Sequence, residues 1–182
     1  VKTPGIHLYY QYNLSKDGKI YKKSRRRVAH SFVTAFGAII FDLFARSYPS
    51  EEDTGGTSRG IAFDLNAAAT AGNTTYGIVV GTGTNVVAIT DNKLQTLITH
   101  GATSGKLQYS ACTVALPTFV SGVSELIITR LFTNASGGTI AIEEIGIYVV
   151  GSYYFCIARD LTSITSTDGS TLTINYIIQT TV

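Results

Sequence analysis

The chain has 182 residues, enough to bury a core of its own, and that length favours one domain. Charged residues make up only 14%, against 18 Gly, 11 Tyr and 8 Phe, a balance closer to a sandwich or barrel than to a helical bundle. The net charge of +2 divides unevenly: residues 1–46 hold nine basic and two acidic groups (+7), residues 47–182 five basic and ten acidic (−5).

A positive head on a negative body implies a polyanion contact or attraction between neighbouring copies; a solvated basic hairpin is the plainer alternative. Cys112 and Cys156, the two cysteines, each sit in an apolar strand pattern and read as buried free thiols rather than a disulfide or a metal pair. The longest apolar run, near Phe32 to Phe44, contains Asp42 and falls short of the roughly 20 residues that span a bilayer. With no secretory-type pattern at the start, a soluble protein without a membrane partner is expected.

From Ile6 the apolar residues alternate through Leu8, Tyr10, Tyr12 and Leu14 until Lys16-Asp17-Gly18-Lys19. Asp-Gly suits the two positive-φ positions of a tight turn, so a strand returns through Ile20, Lys22 and Ser24 as an N-terminal hairpin arm. That strand and its exit carry Lys22, Lys23, Arg25, Arg26 and Arg27, a cluster suited to an assembly or polyanion contact. Basic residues on an edge strand also discourage wrong pairing.

Phe32, Val33, Phe36, Ile39, Ile40, Leu43 and Phe44 recur at three- and four-residue spacing, which predicts an amphipathic helix starting near Ser31 as cap and ending near Arg46. Its packing face, Phe32, Phe36, Ile40, Leu43 and Phe44, must meet a sheet or a neighbour. Tyr48 to Gly60 is polar and aperiodic, the best candidate for a disordered or partner-ordered loop, with Glu51-Glu52-Asp53 as solvated charge. The organisation is thus a basic hairpin and helix (1–46), a polar loop (47–60) and a β-sandwich body (61–182).

In the body, Ile61 to Leu65, Thr75 to Val80 and Val86 to Ile89 read as short strands. Gly81-Thr82-Gly83-Thr84-Asn85 lacks the Lys-Ser/Thr and the following helix of a phosphate loop. Asp91 to His100 fits a helical turn or an extended loop over the core. Leu107 to Leu116 is a strand whose parity switch marks a bulge, ended by Pro117. Leu126 to Thr133 and Thr139 to Val150 read as a hairpin. Ile140 and Ile142 share one parity, Ile145, Ile147 and Val149 the other, which predicts a bulge at Glu143-Glu144. Tyr153 to Leu161 is apolar enough for a central strand covered on both faces, and Leu172 to Ile178 alternates cleanly. The fold class is mainly β: an antiparallel β-sandwich, jelly-roll-like, with one helix.

His7, His30 and His100 are scattered and form no zinc pattern. No Gly-x-Ser-x-Gly elbow occurs, and nothing pairs two of the twelve acids. No catalytic residue, cofactor or metal is expected.

One ordered set of motifs does stand out. Tyr76-Gly77-Ile78-Val79-Val80-Gly81-Thr82-Gly83-Thr84 is followed by Thr90-Asp91-Asn92-Lys93-Leu94, then by Arg130-Leu131-Phe132-Thr133-Asn134-Ala135-Ser136-Gly137-Gly138-Thr139-Ile140-Ala141-Ile142-Glu143-Glu144-Ile145-Gly146-Ile147-Tyr148. Ala158-Arg159-Asp160 and Asp168-Gly169-Ser170-Thr171-Leu172 complete it. This set, over roughly residues 76 to 178, resembles structural proteins of tailed bacteriophages. The resemblance implies a non-enzymatic virion component of the tail, neck or collar, or capsid surface, made in the host cytoplasm. Its partners would be copies of itself and other virion proteins; nucleic acid is a possible but not favoured partner of the basic arm.

Two other readings share the β-rich body. A carbohydrate- or receptor-binding module would stack sugars on Tyr9, Tyr10, Tyr21, Tyr153 and Tyr154. An extracellular filament subunit would lend a strand to its neighbour.

Overall fold

The computed structural model describes residues 5–29, 32–45, 49–61 and 65–181, with helix side chains only as far as residue 40. Twelve strands and one helix occur among them. In chain order these are β1 (Gly5–Lys16), β2 (Lys19–Lys23), β3 (Arg27–Val28), α1 (Thr34–Ala45), β4 (Ser50–Glu52), β5 (Ser58–Gly60) and β6 (Gly77–Gly81). There follow β7 (Gln108–Val114), β8 (Thr118–Val120), β9 (Val123–Thr133), β10 (Ile140–Val150), β11 (Tyr154–Ser166) and β12 (Ser170–Thr181).

They form an antiparallel β-sandwich. The large sheet runs β2-β1-β12-β9-β7, with β3 also on β1 and β8 also on β9; the small sheet runs β11-β10-β6. The alternation read in the sequence becomes the inward row: Leu8, Tyr10, Tyr12 and Leu14 are buried beside Leu172, Ile174 and Tyr176, and face Ile78, Ile145 and Ile147 of the small sheet.

The Asp-Gly turn forms as expected, with Asp17 at φ 50° and Gly18 at 73°. The hairpin is not an arm on a separate body, however. β1 pairs along its whole length with β12, from Gly5 opposite Thr181 to Lys16 opposite Ser170, so it lies inside the large sheet and shares its core. Local alternation predicts a strand but carries no information about a partner 160 residues away.

A second difference concerns β9 and β10, which are not a hairpin. β9 pairs with β12 and β7 in the large sheet, whereas β10 pairs with β11 and β6 in the small one. The segment between them is a corner that carries the chain from one sheet to the other. Both expected bulges are present: register shifts between Ile142 and Glu144, and between Tyr109 and Cys112.

α1 begins at Thr34, three residues after the expected start; Ser31 and Arg46 lie outside the described residues. Phe32 and Val33 stay extended because β11 engages their backbone: Phe32 bridges Ala158, and the Val33 N–H donates to the Ile157 carbonyl at 3.2 Å. α1 then packs on β11. That cover explains why Phe155 to Asp160 are all buried although β11 is an edge strand, not a central one. The aperiodic stretch after the helix is ordered as a small β4–β5 hairpin, whose turn is held by Asp53 accepting the N–H groups of Gly55 and Thr57, each at 2.9 Å. Val86 to Ile89 is not a strand but part of a long loop over the small sheet, with Val86 and Ile89 exposed. Ile61 is buried; residues 62–64 lie outside the described set.

Candidate functional site

Polar residues of the ordered motifs converge on three clusters, two of them buried and the third at the surface around a buried asparagine. The first is Arg130 of β9, fully buried between Ile128 and Phe132 on the inward row. It has no carboxylate partner among the described residues. Its five N–H donors end instead on five backbone carbonyls: Nε on Ser110 (2.9 Å), one terminal nitrogen on Tyr76 and Ile78 (3.1 and 3.0 Å), the other on Thr70 and Asn73 (3.3 and 2.6 Å). The guanidinium also lies 4.8 Å from the Tyr109 ring centre and 6.0 Å from that of Phe132. Burial holds its pKa below the usual arginine value, and pushes the neighbouring Tyr109 phenol and Cys112 thiol up. Arg130 thus ties the irregular 70–76 segment, β6 and β7 to β9.

The second cluster centres on Glu144, which the β10 bulge turns inward to complete burial. One carboxylate oxygen accepts the N–H of Gly83 (3.0 Å) and of Thr96 (2.7 Å); the other accepts the Gln95 N–H (3.0 Å) and Arg159 Nε (2.8 Å). Arg159, also buried, reaches Asp91 at 2.8 Å and the Asn85 carbonyl at 3.0 Å. One N–H of the glycine loop, at Gly83, joins those of Gln95 and Thr96 in holding an anion, but that anion is the protein's own carboxylate. An added Cβ on Gly83 would stand 2.5 Å from Glu144 Oε1, which is why the loop needs glycine there.

The third cluster locks two sheet-crossing corners together. The Asn134 side-chain amide donates to the carbonyls of Gly138 and Ser166, both at 2.8 Å, while its oxygen accepts from Ser136. Across the gap, Asp168 accepts the Gly137 N–H at 2.8 Å, and the Gly169 N–H returns to the Asn134 carbonyl. One corner joins β9 to β10 and the other β11 to β12, so a single asparagine sets how the two sheets meet.

Comparison with family models, curated proteins and solved structures finds no match.

The surface groups singled out in the sequence fall differently. Lys22, Lys23, Arg25, Arg26 and Arg27 are all exposed along the β2–β3 edge, but they divide between its two sides. Lys22 and Arg27 both lie over the Tyr12 ring, at 5.9 and 5.8 Å. Arg26 crosses the outer face of the sheet, 5.5 Å from the Tyr9 ring, to pair with Glu125 of β9 at 2.7 Å. Of the expected helix face, Phe32 and Phe36 stack on each other at 3.6 Å and pack against the core. Ile40 is half-buried; the side chains of Leu43 and Phe44 lie outside the described set.

Among the aromatics considered for sugar stacking, Tyr10 is buried in the core, Tyr153 is capped by Arg59 at 4.4 Å, and Tyr154 stacks on Tyr76. Tyr21 is 51% exposed.

Two concavities follow the open side of the sandwich, where β3 faces β11. The larger, about 700 Å³, lies between Tyr10, Arg27, Val28, Val86 and Leu161, with the buried Asp160 at its floor. There Tyr176 donates to Asp160 at 3.1 Å, and burial with that carboxylate holds the phenol well above its usual value. The smaller, about 310 Å³, carries Glu51, Glu52 and Asp91 beside Thr34 and Asn92. Glu51 accepts from the Thr34 hydroxyl and Glu52 from the Asn92 amide, both neutral donors.

Sequence reasoning placed Arg130, Glu144 and Arg159 in motifs without seeing that they are buried charges. A signal existed for Arg130, which shares the parity of Ile128 and Phe132. None existed for Arg159, which lies within Phe155 to Asp160, where both faces are buried and parity carries no signal.

Proposed function

We propose that this chain is a non-enzymatic structural component of a tailed-phage virion, one that self-assembles or docks on other virion proteins. The observation that carries the reading is how the motif residues of the resemblance are used. Arg130, Asn134, Glu144, Arg159 and Asp168 each close hydrogen bonds between segments distant in sequence. Such residues fix the shape of a rigid building block, which is the demand placed on a particle subunit. The exposed basic edge and the exposed Val28, Val86 and Leu161 leave surface for neighbours.

The test is electron microscopy of the source particle, labelled with an antibody raised against this chain. Regular label at one level of the particle is the expected result. Particles that carry none of the chain overturn the reading.

A further inference from the structure

The open side of the sandwich carries three properties in one line. At one end the edge strand β2 presents Lys19, Lys22 and Lys23, all exposed, Lys22 and Lys23 on opposite sides of the edge, and none with an ion pair among the described residues. In the middle lie Val86, Val28 and Leu161, which are 86%, 55% and 38% exposed around the larger concavity, with Arg27 at its rim and its guanidinium 5.8 Å from the Tyr12 ring, towards the basic end. At the other end Glu51 and Glu52 receive hydrogen bonds, among the described residues, from neutral groups: the Thr34 hydroxyl and the Asn92 amide.

The strand registers order these features. β3 meets β1 at Tyr9 and Tyr10, whereas β2 meets it at Asn13 to Lys16. Lys23 and Lys22 lie opposite Asn13 and Leu14, three and four residues from Tyr10, which is about 10–13 Å at a rise of about 3.3 Å per residue. On β11 the middle is Leu161 and the acidic cleft is at Cys156, five residues and about 16 Å away. The chain itself runs from basic end to middle to acidic end, since Ala29 leaves β1 at Leu8 and Val33 joins β11 at Ile157. Positive, apolar and negative zones therefore follow in that order along one side.

A surface with this order is complementary to itself when a second copy is turned by 180° about an axis through the middle. Each basic end then faces an acidic end, and the two apolar centres meet. Closed two-fold contacts of this kind use one patch on both partners. We propose that the open β3–β11 side is the two-fold interface between two copies of this chain, with Lys22 and Lys23 of each copy meeting Glu51 and Glu52 of the other. The proposal rests on the assembly reading above but can fail alone, because the antibody labelling does not depend on which face self-associates.

The experiment is sedimentation velocity on the full chain and on charge reversals at both ends. Lys22→Glu with Lys23→Glu makes both ends negative; Glu51→Lys with Glu52→Lys makes both positive. Each pair alone is expected to weaken self-association at least about tenfold, as like charges face each other. An equimolar mixture of the two restores a heterodimer, and the chain carrying all four changes again pairs with itself. Independently, Val86→Cys, on a residue that tolerates change by its exposure, forms a disulfide-linked dimer under mild oxidation, since both native thiols are buried. The proposal is overturned if the native chain is monomeric at every concentration in low salt. It is equally overturned if self-association ignores both reversals, or if Val86→Cys stays monomeric.

Discussion

Replacing Arg130 by Met removes a buried cation while keeping most of its volume, and the cost can be worked from its contacts. Five donors end on five carbonyls, of which the 3.3 Å contact to Thr70 is the weakest. A hydrogen bond to a charged group contributes about 1.5–3 kcal/mol net, so four good ones supply roughly 6–12 kcal/mol. Desolvating the guanidinium costs several kcal/mol, which Met avoids. The balance is a loss of about 3–5 kcal/mol, against a total stability on the order of 5–15 kcal/mol. At roughly 2–4 °C per kcal/mol for a chain of this size, the melting temperature falls by about 6–20 °C.

Arg130→Lys separates charge from shape. It keeps the cation but has three donors on one atom, so at least two carbonyls go unserved, and it should be no more stable than the Met variant. Urea unfolding gives both values. Amide exchange supplies a local readout, since the 70–76 segment should exchange faster in either variant. A loss below about 1 kcal/mol for Met, or a Lys variant as stable as the native chain, would show that the carbonyls do not need the fork.

Glu144→Gln keeps the acceptor facing Gly83 and Thr96 but can set an amide N–H₂ against the Gln95 N–H and Arg159 Nε. We expect about 2–4 kcal/mol of destabilisation in urea and new proteolytic cuts between residues 82 and 96, and unchanged cutting would count against the anchoring role. Gly83→Ala, whose Cβ would stand 2.5 Å from Gln95 Cβ, should loosen the same loop by about 1–3 kcal/mol. A third expectation concerns alkali. Burial raises the folded-state pKa of Cys112, Cys156, Tyr109, Tyr148 and Tyr176 above their ordinary values of 9.0 and 10.0. Groups raised on folding contribute stability that is whole below the unfolded pKa and is lost as pH rises through the folded one. Thermal melts should therefore be flat up to about pH 8 and decline above the ordinary thiol and phenol values, and a melting temperature constant to pH 11 would refute it.

Much of this arrangement was legible wherever a local rule governs the chain. The Asp17-Gly18 turn, the bulges after Ile142 and Tyr109, the inward row of β1 and the burial of both cysteines all follow from alternation and turn chemistry. Partnership was not legible. Nothing local distinguishes a corner from a hairpin turn at 134–139, because the deciding contact is between Asn134 and Ser166, a strand away. The start of α1 moved for the same reason: Phe32 and Val33 fit the helical stripe, but β11 takes their backbone first. The 48–60 stretch lacked periodicity because β4 and β5 are three residues each, too short to show any.

The pairing of β1 with β12 also governs how the chain can be made. During synthesis the first hairpin emerges with Leu8, Tyr10, Tyr12 and Leu14 on one side and an unpaired strand edge, and it stays so until Ser170–Thr181 appears. Folding cannot close earlier, since the contact joins residues more than 150 positions apart, and topologies of such high contact order fold slowly. The lysines and arginines of β2 and β3 flank that open edge, where basic side chains disfavour pairing between incompletely folded chains.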